Sequence, residues 1–219
     1  MVKRVPSPPP SPKGRGGSVG GLYAITPDIP DTADLLRRVT SALRGGARVL
    51  QYRNKSADPA LRLEQARALR EATRAFGVPF IINDDARLAA EVGADGVHIG
   101  ADDGGVQAAR ALLGAGGIVG VSCYNRIPAA RAAVADGADY IAFGAFFASA
   151  VKPDAVTADL ALLRQARAEL AVPIVAIGGI TAENAAPLVE AGADAVAVIS
   201  ALFSAPDVEA AAKEFAEIF

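Results

Sequence analysis

Short apolar runs alternate with helical stretches along the chain from about residue 20 onward. The apolar runs are rich in valine and isoleucine, which is typical of buried strands, and the stretches between them repeat their apolar residues at helical spacing. The predicted strands are 21–26, 47–53, 79–84, 96–100, 117–122, 140–144, 173–178 and 195–200. The predicted helices lie near 31–44, 58–76, 85–92, 104–113, 127–136, 157–170, 181–191 and 206–217. Strands that alternate with helices run parallel, and eight such pairs favour a closed (β/α)8 TIM barrel over an open sheet.

A repeated segment supports the barrel. It occurs as GGARVLQY (45–52), VGADGVHI (92–99), DGADYIAF (136–143) and AGADAVAV (191–198). Each copy ends a helix with glycine, which suits a left-handed helix stop, and then enters an even-numbered strand. The repeating unit is therefore β-α-β-α, used four times. A barrel explains this repetition, whereas a doubly wound open sheet does not.

The first 19 residues differ in composition from the rest of the chain. They are rich in proline, serine and glycine and carry several cations. Such a segment buries too little apolar surface to offset the entropy of ordering it. We therefore expect a disordered tail at 1–19 and a single barrel domain at 20–219, which contains the catalytic site.

Composition narrows the range of partners and compartments. The chain has 219 residues, of which 52% are hydrophobic and 21% charged, as expected of a globular protein. A net charge of −2 argues against nucleic-acid binding, and we find no apolar run of the roughly 18 residues that a membrane span needs. Cys123 is the only cysteine, so no intrachain disulfide forms, which fits a cytoplasmic location. The composition is compatible with a homo-oligomer as well as with a monomer.

Polar residues follow the predicted second strand abruptly. In a parallel barrel the chemistry lies where strands run into the following loops. Gln51, Arg53 and Lys55 stand at i, i+2 and i+4, so on a strand they share one face. One amide and two cations there predict an anion-binding cradle. A solvated strand end is the alternative interpretation.

Carboxylates follow the third and fourth predicted strands: Asp84, Asp85, Asp102 and Asp103. Carboxylates at the mouths of neighbouring strands suit Mg²⁺, which is usually held by one or two of them together with phosphate oxygens and water. Not all four need be ligands, because Asp85 is also placed to cap the next helix and Asp102 to be solvated. Cations beside carboxylates favour a metal-bound diphosphate as the ligand.

Two further strand ends open helices, at Gly178-Gly179 and at Ile199-Ser200. Backbone N–H groups at helix starts bind phosphate, and the loops after strands seven and eight are the usual phosphate site of this fold. The sequence therefore predicts a second, monophosphate site and two substrates that meet over the barrel mouth.

The chain resembles the thiamine-phosphate synthase family from about residue 21 to 204. The segments that carry the resemblance are QYRNK (51–55), INDDARLAAEVGADGVHIG (82–100), GVSCYN (120–125), ADYIAFG (138–144), VPIVAIGGI (172–180) and AVAVIS (195–200). The resemblance implies a transferase that couples hydroxymethylpyrimidine diphosphate with a thiazole phosphate, with Mg²⁺ on the leaving diphosphate.

Site residues follow from this resemblance. It implies pyrimidine-diphosphate binding by Gln51, Arg53, Lys55 and Asn83, Mg²⁺ ligation by Asp84 and Asp103, diphosphate or pyrimidine contacts from Ser122 and Lys152, and thiazole-phosphate binding by Ser149, Gly179, Ile199 and Ser200. Lys55, Lys152 and Ser122 are the predicted catalytic residues.

The chain also departs from the family pattern. The family usually has Thr-x-Thr-Lys after strand six, where this chain has Ser149-Ala150-Val151-Lys152, so Val151 replaces a hydroxyl. Ala101 stands where the family often has glutamine.

Two alternative functions fit parts of the sequence. A thiazole tautomerase on a similar barrel is expected to carry a histidine where this chain has Tyr124, and needs no diphosphate site. A catalytically silent barrel that binds thiamine precursors or a partner is suggested by the two departures above. His98 and Cys123, the sole residues of their kinds, are expected to pack or hydrogen-bond inside the fold.

Overall fold

The computed structural model describes residues 19–100, 103–147 and 158–219. Within these ranges eight strands are found: β1 (Gly21–Ile25), β2 (Val49–Tyr52), β3 (Phe80–Asn83), β4 (Gly96–Ile99), β5 (Ile118–Tyr124), β6 (Tyr140–Gly144), β7 (Ile174–Ile177) and β8 (Ala195–Val198). Each strand pairs in parallel with the next, and β8 pairs with β1 to close the barrel. The predicted TIM barrel is confirmed.

Nine helices surround the strands in the same ranges: α1 (Thr32–Arg44), α2 (Pro59–Phe76), α3 (Ala86–Val92), α4 (Gly105–Leu113), α5 (Ile127–Ala135), α6 (Leu160–Glu169), α7 (Ala182–Glu190), α8 (Ser200–Phe203) and α9 (Val208–Ala216). Aspartates begin several of them, because the carboxylate accepts a hydrogen bond from a backbone N–H of the first turn; examples are Asp31, Asp58 and Asp85. No helix of the described ranges has the length and apolar character that crossing a bilayer would require.

The repeated segment has a structural role at the amino-terminal ends of the strands. The glycine at the second position of each copy has positive φ, a conformation that glycine adopts without steric cost; these are Gly46, Gly93, Gly137 and Gly192. The aspartate that follows in three copies accepts a hydrogen bond from a backbone N–H at the start of the preceding strand: Asp95 from Phe80 N, Asp139 from Val119 N and Asp194 from Ile174 N.

Each of these carboxylates also pairs with an arginine of the helix that comes before that same strand. The pairs are Arg70–Asp95, Arg110–Asp139 and Arg167–Asp194. In the first copy Arg48 occupies the position of the aspartate. In three of its four copies, the repeat therefore links one helix to the starts of the next two strands at the base of the barrel.

The apolar core has two layers. One layer lies between the strands and the helices, and the other fills the barrel interior with residues such as Tyr23, Val49, Ile81, Tyr140 and Val175. Interior residues of different size complement one another. A Cβ atom on Gly120 would lie 2.0 Å from the Tyr140 ring, so glycine there makes room for that ring.

Candidate active site

The carboxyl ends of β2 and β3 border a cavity of about 580 Å³. Five of the residues predicted from sequence line it: Arg53, Lys55, Asn83, Asp84 and Asp103. Arg62 of α2 and Arg87 of α3 line it as well, although the sequence analysis did not single them out. The cavity therefore gathers four cations and the two proposed metal ligands.

Arg53 and Lys55 are held by side chains that follow β1. The Thr26 hydroxyl donates to Arg53 O and accepts from Arg53 N, both at 2.9 Å. Asp28 Oδ1 accepts from Arg53 Nη1 at 3.2 Å and from Lys55 N at 3.3 Å. Asp28 thus fixes the segment that carries both cations.

Asp84 has an unusual backbone conformation at the mouth of β3. Its φ is +63°, a region that few non-glycine residues adopt, and its N–H donates to His98 O at 2.8 Å. Its carboxylate lies 3.8 Å from Lys55 Nζ. Burial, and then the neighbouring Asp103 carboxylate, raise the pKa of Asp84, whereas Lys55 lowers it.

The Asp84 and Asp103 side chains are close enough to share a hydrogen bond. Asp103 Oδ2 also accepts from Gly100 N at 2.7 Å, which fixes its position. Two adjacent carboxylates that repel one another fit a divalent cation with oxygen ligands. The described residues contain no group of three or more histidine, cysteine or acidic side chains that could hold a metal.

The outcome for the other two aspartates is mixed. Asp85 caps α3, because its Oδ1 accepts a hydrogen bond from Leu88 N at 2.9 Å. This was one of the two interpretations of Asp85 from sequence, the other being a metal ligand. Asp102 lies outside the described residues.

A chain of hydrogen bonds crosses the barrel interior from β2 to β5. Gln51 Nε2 donates to the Tyr23 hydroxyl at 2.9 Å, and this hydroxyl lies 2.7 Å from the Tyr140 hydroxyl. The Tyr140 hydroxyl lies 3.0 Å from His98 Nδ1, and His98 Nε2 lies 2.8 Å from Ser122 Oγ. We call these five residues the interior chain. It links two predicted substrate-binding residues through three residues that the resemblance did not assign.

The three middle members of the interior chain are uncharged at neutral pH. Burial lowers the pKa of His98 to about 4, although Asp103 opposes that shift. Burial also raises the pKa of the Tyr23 and Tyr140 phenols well above the usual value. The His98 and Tyr140 rings stack with centroids 5.5 Å apart. The expectation that His98 hydrogen-bonds inside the barrel is confirmed.

The loops after β7 and β8 form the other side of the mouth. Gly178 and Gly179 have positive φ, and Asn184 Nδ2 donates to Gly179 O at 3.1 Å. Ile199 precedes the short helix α8, whose first residue is Ser200 and which has no side-chain cap. The predicted helix start is confirmed, but the predicted strand 195–200 is too long, because β8 ends at Val198.

The strand prediction for Gln51, Arg53 and Lys55 is partly wrong. β2 ends at Tyr52, so alternation along a strand does not place the three side chains on one face. Gln51 is 3% exposed and hydrogen-bonds inside the barrel, whereas Arg53 and Lys55 line the cavity. Ser149 and Lys152, together with Ala101 and Val151, lie outside the described residues.

Sequence reasoning missed five residues of the site, which are Tyr23, Tyr140, Asp28, Arg62 and Arg87. A tyrosine in the middle of an apolar strand was an available signal, because a buried phenol usually needs a hydrogen-bond partner. Cys123, by contrast, is buried as expected, and burial raises the pKa of its thiol to about 12.

Fold and site together define a parallel barrel with a cation- and carboxylate-lined cavity on one side of its mouth and loop and helix starts on the other. This arrangement is typical of TIM-barrel enzymes that bind phosphorylated substrates. A family profile described as thiamine monophosphate synthase matches residues 22–202. The chain belongs to this family.

Individual relatives agree with the family. The chain is 56% identical to thiamine-phosphate synthase of Thiobacillus denitrificans over 200 residues, which is 91% of this chain and 95% of the relative. It is 58% identical to thiamine-phosphate synthase of Xanthomonas campestris pv. campestris over 195 residues, which is 89% and 93% of the two chains. Among solved structures, thiamine phosphate pyrophosphorylase from Pyrococcus furiosus has a TM-score of 0.82 at 35% identity and covers 90% of this chain and 94% of that one.

Proposed function

We propose that this chain couples hydroxymethylpyrimidine diphosphate with a thiazole phosphate to give thiamine phosphate and diphosphate. The observation that carries the proposal is the cavity in which Arg53 and Lys55 lie beside Asp84 and Asp103, in a member of the thiamine monophosphate synthase family. Neither the family profile nor the relatives named above support the tautomerase or the silent barrel.

The reaction breaks one C–O bond and forms one C–N bond. The electron pair of the C–O bond leaves with the diphosphate, and the amino-pyrimidine ring stabilises the resulting cation. The thiazole nitrogen then donates its lone pair to the methylene carbon. No strong base or covalent nucleophile is required, so the protein acts by charge stabilisation and alignment.

Arg53 and Lys55 are proposed to bind the diphosphate. Lys152, which follows β6 in the sequence, joins them on the grounds of the family resemblance. Asp84 and Asp103 are proposed to hold Mg²⁺ and Asn83 to contact the diphosphate beside them. When bound there, Mg²⁺ supplies positive charge that neutralises the leaving group.

The remaining residues are proposed to position the two rings and the second phosphate. Gln51 and Ser122 would contact the pyrimidine substrate from the two ends of the interior chain. Gly179, Ile199 and Ser200 would bind the thiazole phosphate, and Ser149 joins them on the grounds of the family resemblance. A cytoplasmic location completes the proposal, since the one cysteine of the chain is a buried thiol.

A coupling assay with both substrates and Mg²⁺ tests the proposal. We expect thiamine phosphate and diphosphate to appear in equal amounts, measured by chromatography. Tight binding of thiazole phosphate without any product would refute it. Asp84→Ala should abolish turnover while circular dichroism shows a folded barrel. Asp34→Asn is the matched control, because Asp34 pairs with Arg37 and Arg38 on the outer helix α1.

A further inference from the structure

The interior chain has a defined direction, which follows from the orientation of the Gln51 amide, whose nitrogen faces Tyr23, and from counting the hydrogens of the other members. Four contacts join its five members, and each contact needs one hydrogen between two heavy atoms. Each tyrosine and Ser122 has one hydroxyl hydrogen, and neutral His98 has one N–H. If Tyr140 donated to Tyr23, which already accepts from Gln51, the Tyr23 hydrogen would have no acceptor among the described residues.

An unpaired hydroxyl hydrogen at a fully buried position is costly, so the contacts run head to tail. Gln51 donates to Tyr23, Tyr23 donates to Tyr140, and Tyr140 donates to His98 Nδ1. His98 must then carry its hydrogen on Nε2 and donate it to Ser122 Oγ. Burial of Tyr23 (1% exposed) and Tyr140 (0%) excludes bulk water as a substitute partner.

This direction fixes what the two ends offer to a ligand. The Gln51 amide nitrogen is turned to Tyr23, which leaves the amide oxygen as an acceptor; within the described ranges it accepts no hydrogen bond. Ser122 Oγ already accepts from His98, which leaves its hydroxyl hydrogen as a donor. We propose that Tyr23, Tyr140 and His98 are positioning residues, which hold Gln51 as an acceptor and Ser122 as a donor toward the pyrimidine substrate.

The proposal rests on the proposed function and refines its specificity. An exocyclic amine on the pyrimidine donates to Gln51, and a ring nitrogen or diphosphate oxygen accepts from Ser122. A 4-oxo pyrimidine offers an acceptor where the amine offers a donor, so it meets the Gln51 oxygen acceptor to acceptor. The interior chain therefore selects aminopyrimidines through the two groups that its ends present.

The first test measures the His98 tautomer in the unliganded protein. His98 is the only histidine, so ¹⁵N NMR of the untagged chain reports it without assignment. We expect a protonated Nε2 and an unprotonated Nδ1. In Tyr140→Phe the donor to Nδ1 is lost, and the two nitrogen signals should move toward each other. In Tyr23→Phe the tautomer should stay unchanged, because the Tyr140–His98 contact is intact.

The second test compares the binding of 4-amino and 4-oxo pyrimidine diphosphates by calorimetry with Mg²⁺ and without the thiazole. Tyr23→Phe removes the hydroxyl that holds the Gln51 amide. Tyr140→Phe leaves the Tyr23 hydrogen without its acceptor, so this hydrogen turns to the Gln51 amide oxygen. In both variants the ratio of the two dissociation constants should fall about 10-fold. Tyr52→Phe is the matched control. Its buried hydroxyl donates to Gln65 Oε1 at 2.8 Å outside the interior chain, and the ratio should not change.

The outcomes separate the two proposals. An Nδ1–H tautomer in the wild-type protein overturns the direction of the interior chain. An unchanged amino-to-oxo ratio in Tyr23→Phe, with the variant folded, overturns the positioning role, and Tyr140→Phe gives the same decision if Tyr23→Phe does not fold. Absence of coupling by the wild-type protein refutes the proposed function, whereas the tautomer and the binding ratio still decide the positioning role.

Discussion

Removal of the Asp139 carboxylate should destabilise the barrel far more than its single charge suggests. Asp139 Oδ2 accepts from Val119 N at 2.9 Å and from Arg110 Nη2 at 2.6 Å, and its side chain is 8% exposed. Arg110 also donates to Gly137 O at 2.8 Å and to Gly117 O. Asp139→Ala therefore leaves a buried N–H without its acceptor and a mostly buried guanidinium without its counter-ion.

Breaking a buried ion pair by removing one partner costs about 3–5 kcal/mol. That is a large part of a typical total stability of about 5–15 kcal/mol. At about 2–4 °C per kcal/mol for a domain of this size, the melting temperature should fall by about 10 °C. Asp139→Asn keeps an oxygen for Val119 N–H and loses only the charge, so it should cost about 1–3 kcal/mol.

Urea unfolding followed by circular dichroism measures the loss, and the slope of free energy against urea should stay constant if only stability changes. Asp136→Asn is the control, because Asp136 is exposed three residues earlier and should stay within about 0.5 kcal/mol. The catalytic rate of the folded variant should be close to wild type, because Asp139 lies at the base of the barrel. A loss below about 1 kcal/mol for Asp139→Ala, or a rate loss without a stability loss, would refute the reasoning.

Three further predictions concern the site and the interior. The single histidine, His98, should titrate near pH 4 by NMR. Because the unfolded chain binds this proton from about pH 6.5 downward, the unfolding free energy should decrease by about 3 kcal/mol between pH 6.5 and 4 relative to His98→Gln. An equal dependence of the unfolding free energy on pH in the two proteins would contradict this. Chelation should abolish turnover and added Mg²⁺ should restore it in the wild-type protein but not in Asp84→Ala; activity in the chelator would remove the metal from the proposal. Gly120→Ala should lower the melting temperature and displace the Tyr140 ring, since its Cβ would lie 2.0 Å from that ring, and an unchanged melting temperature would show that the ring moves freely.

The barrel was predictable because two independent sequence signals agreed. Apolar periodicity predicted eight strands, and the repeated glycine segments predicted how they are grouped. Strand ends were less predictable, since side chains decide them. The ladder between β1 and β2 stops when the Thr26 hydroxyl takes both the N–H and the C=O of Arg53, so β2 ends before that arginine.

The cavity was predictable for a similar reason. Carboxyl ends of neighbouring parallel strands meet at one end of a barrel, so Lys55 and Asp84 were expected to be near each other, and their charged atoms lie 3.8 Å apart. The interior chain was not predictable, because its contacts join five strands. Tyr23 and Tyr140 are 117 positions apart, and only the register and the gap left by Gly120 bring their hydroxyls together.

The three carboxylate–arginine pairs lie at the opposite end of the strands from the cavity. Their hydrogen bonds reach turns and strand starts, and none of them involves the loops that line the mouth. Substitutions in the mouth loops therefore leave the contacts that tie the strands together at the base. A library that randomises those loops should yield a high proportion of folded members, which makes this chain a suitable scaffold for directed evolution toward other phosphorylated substrate pairs.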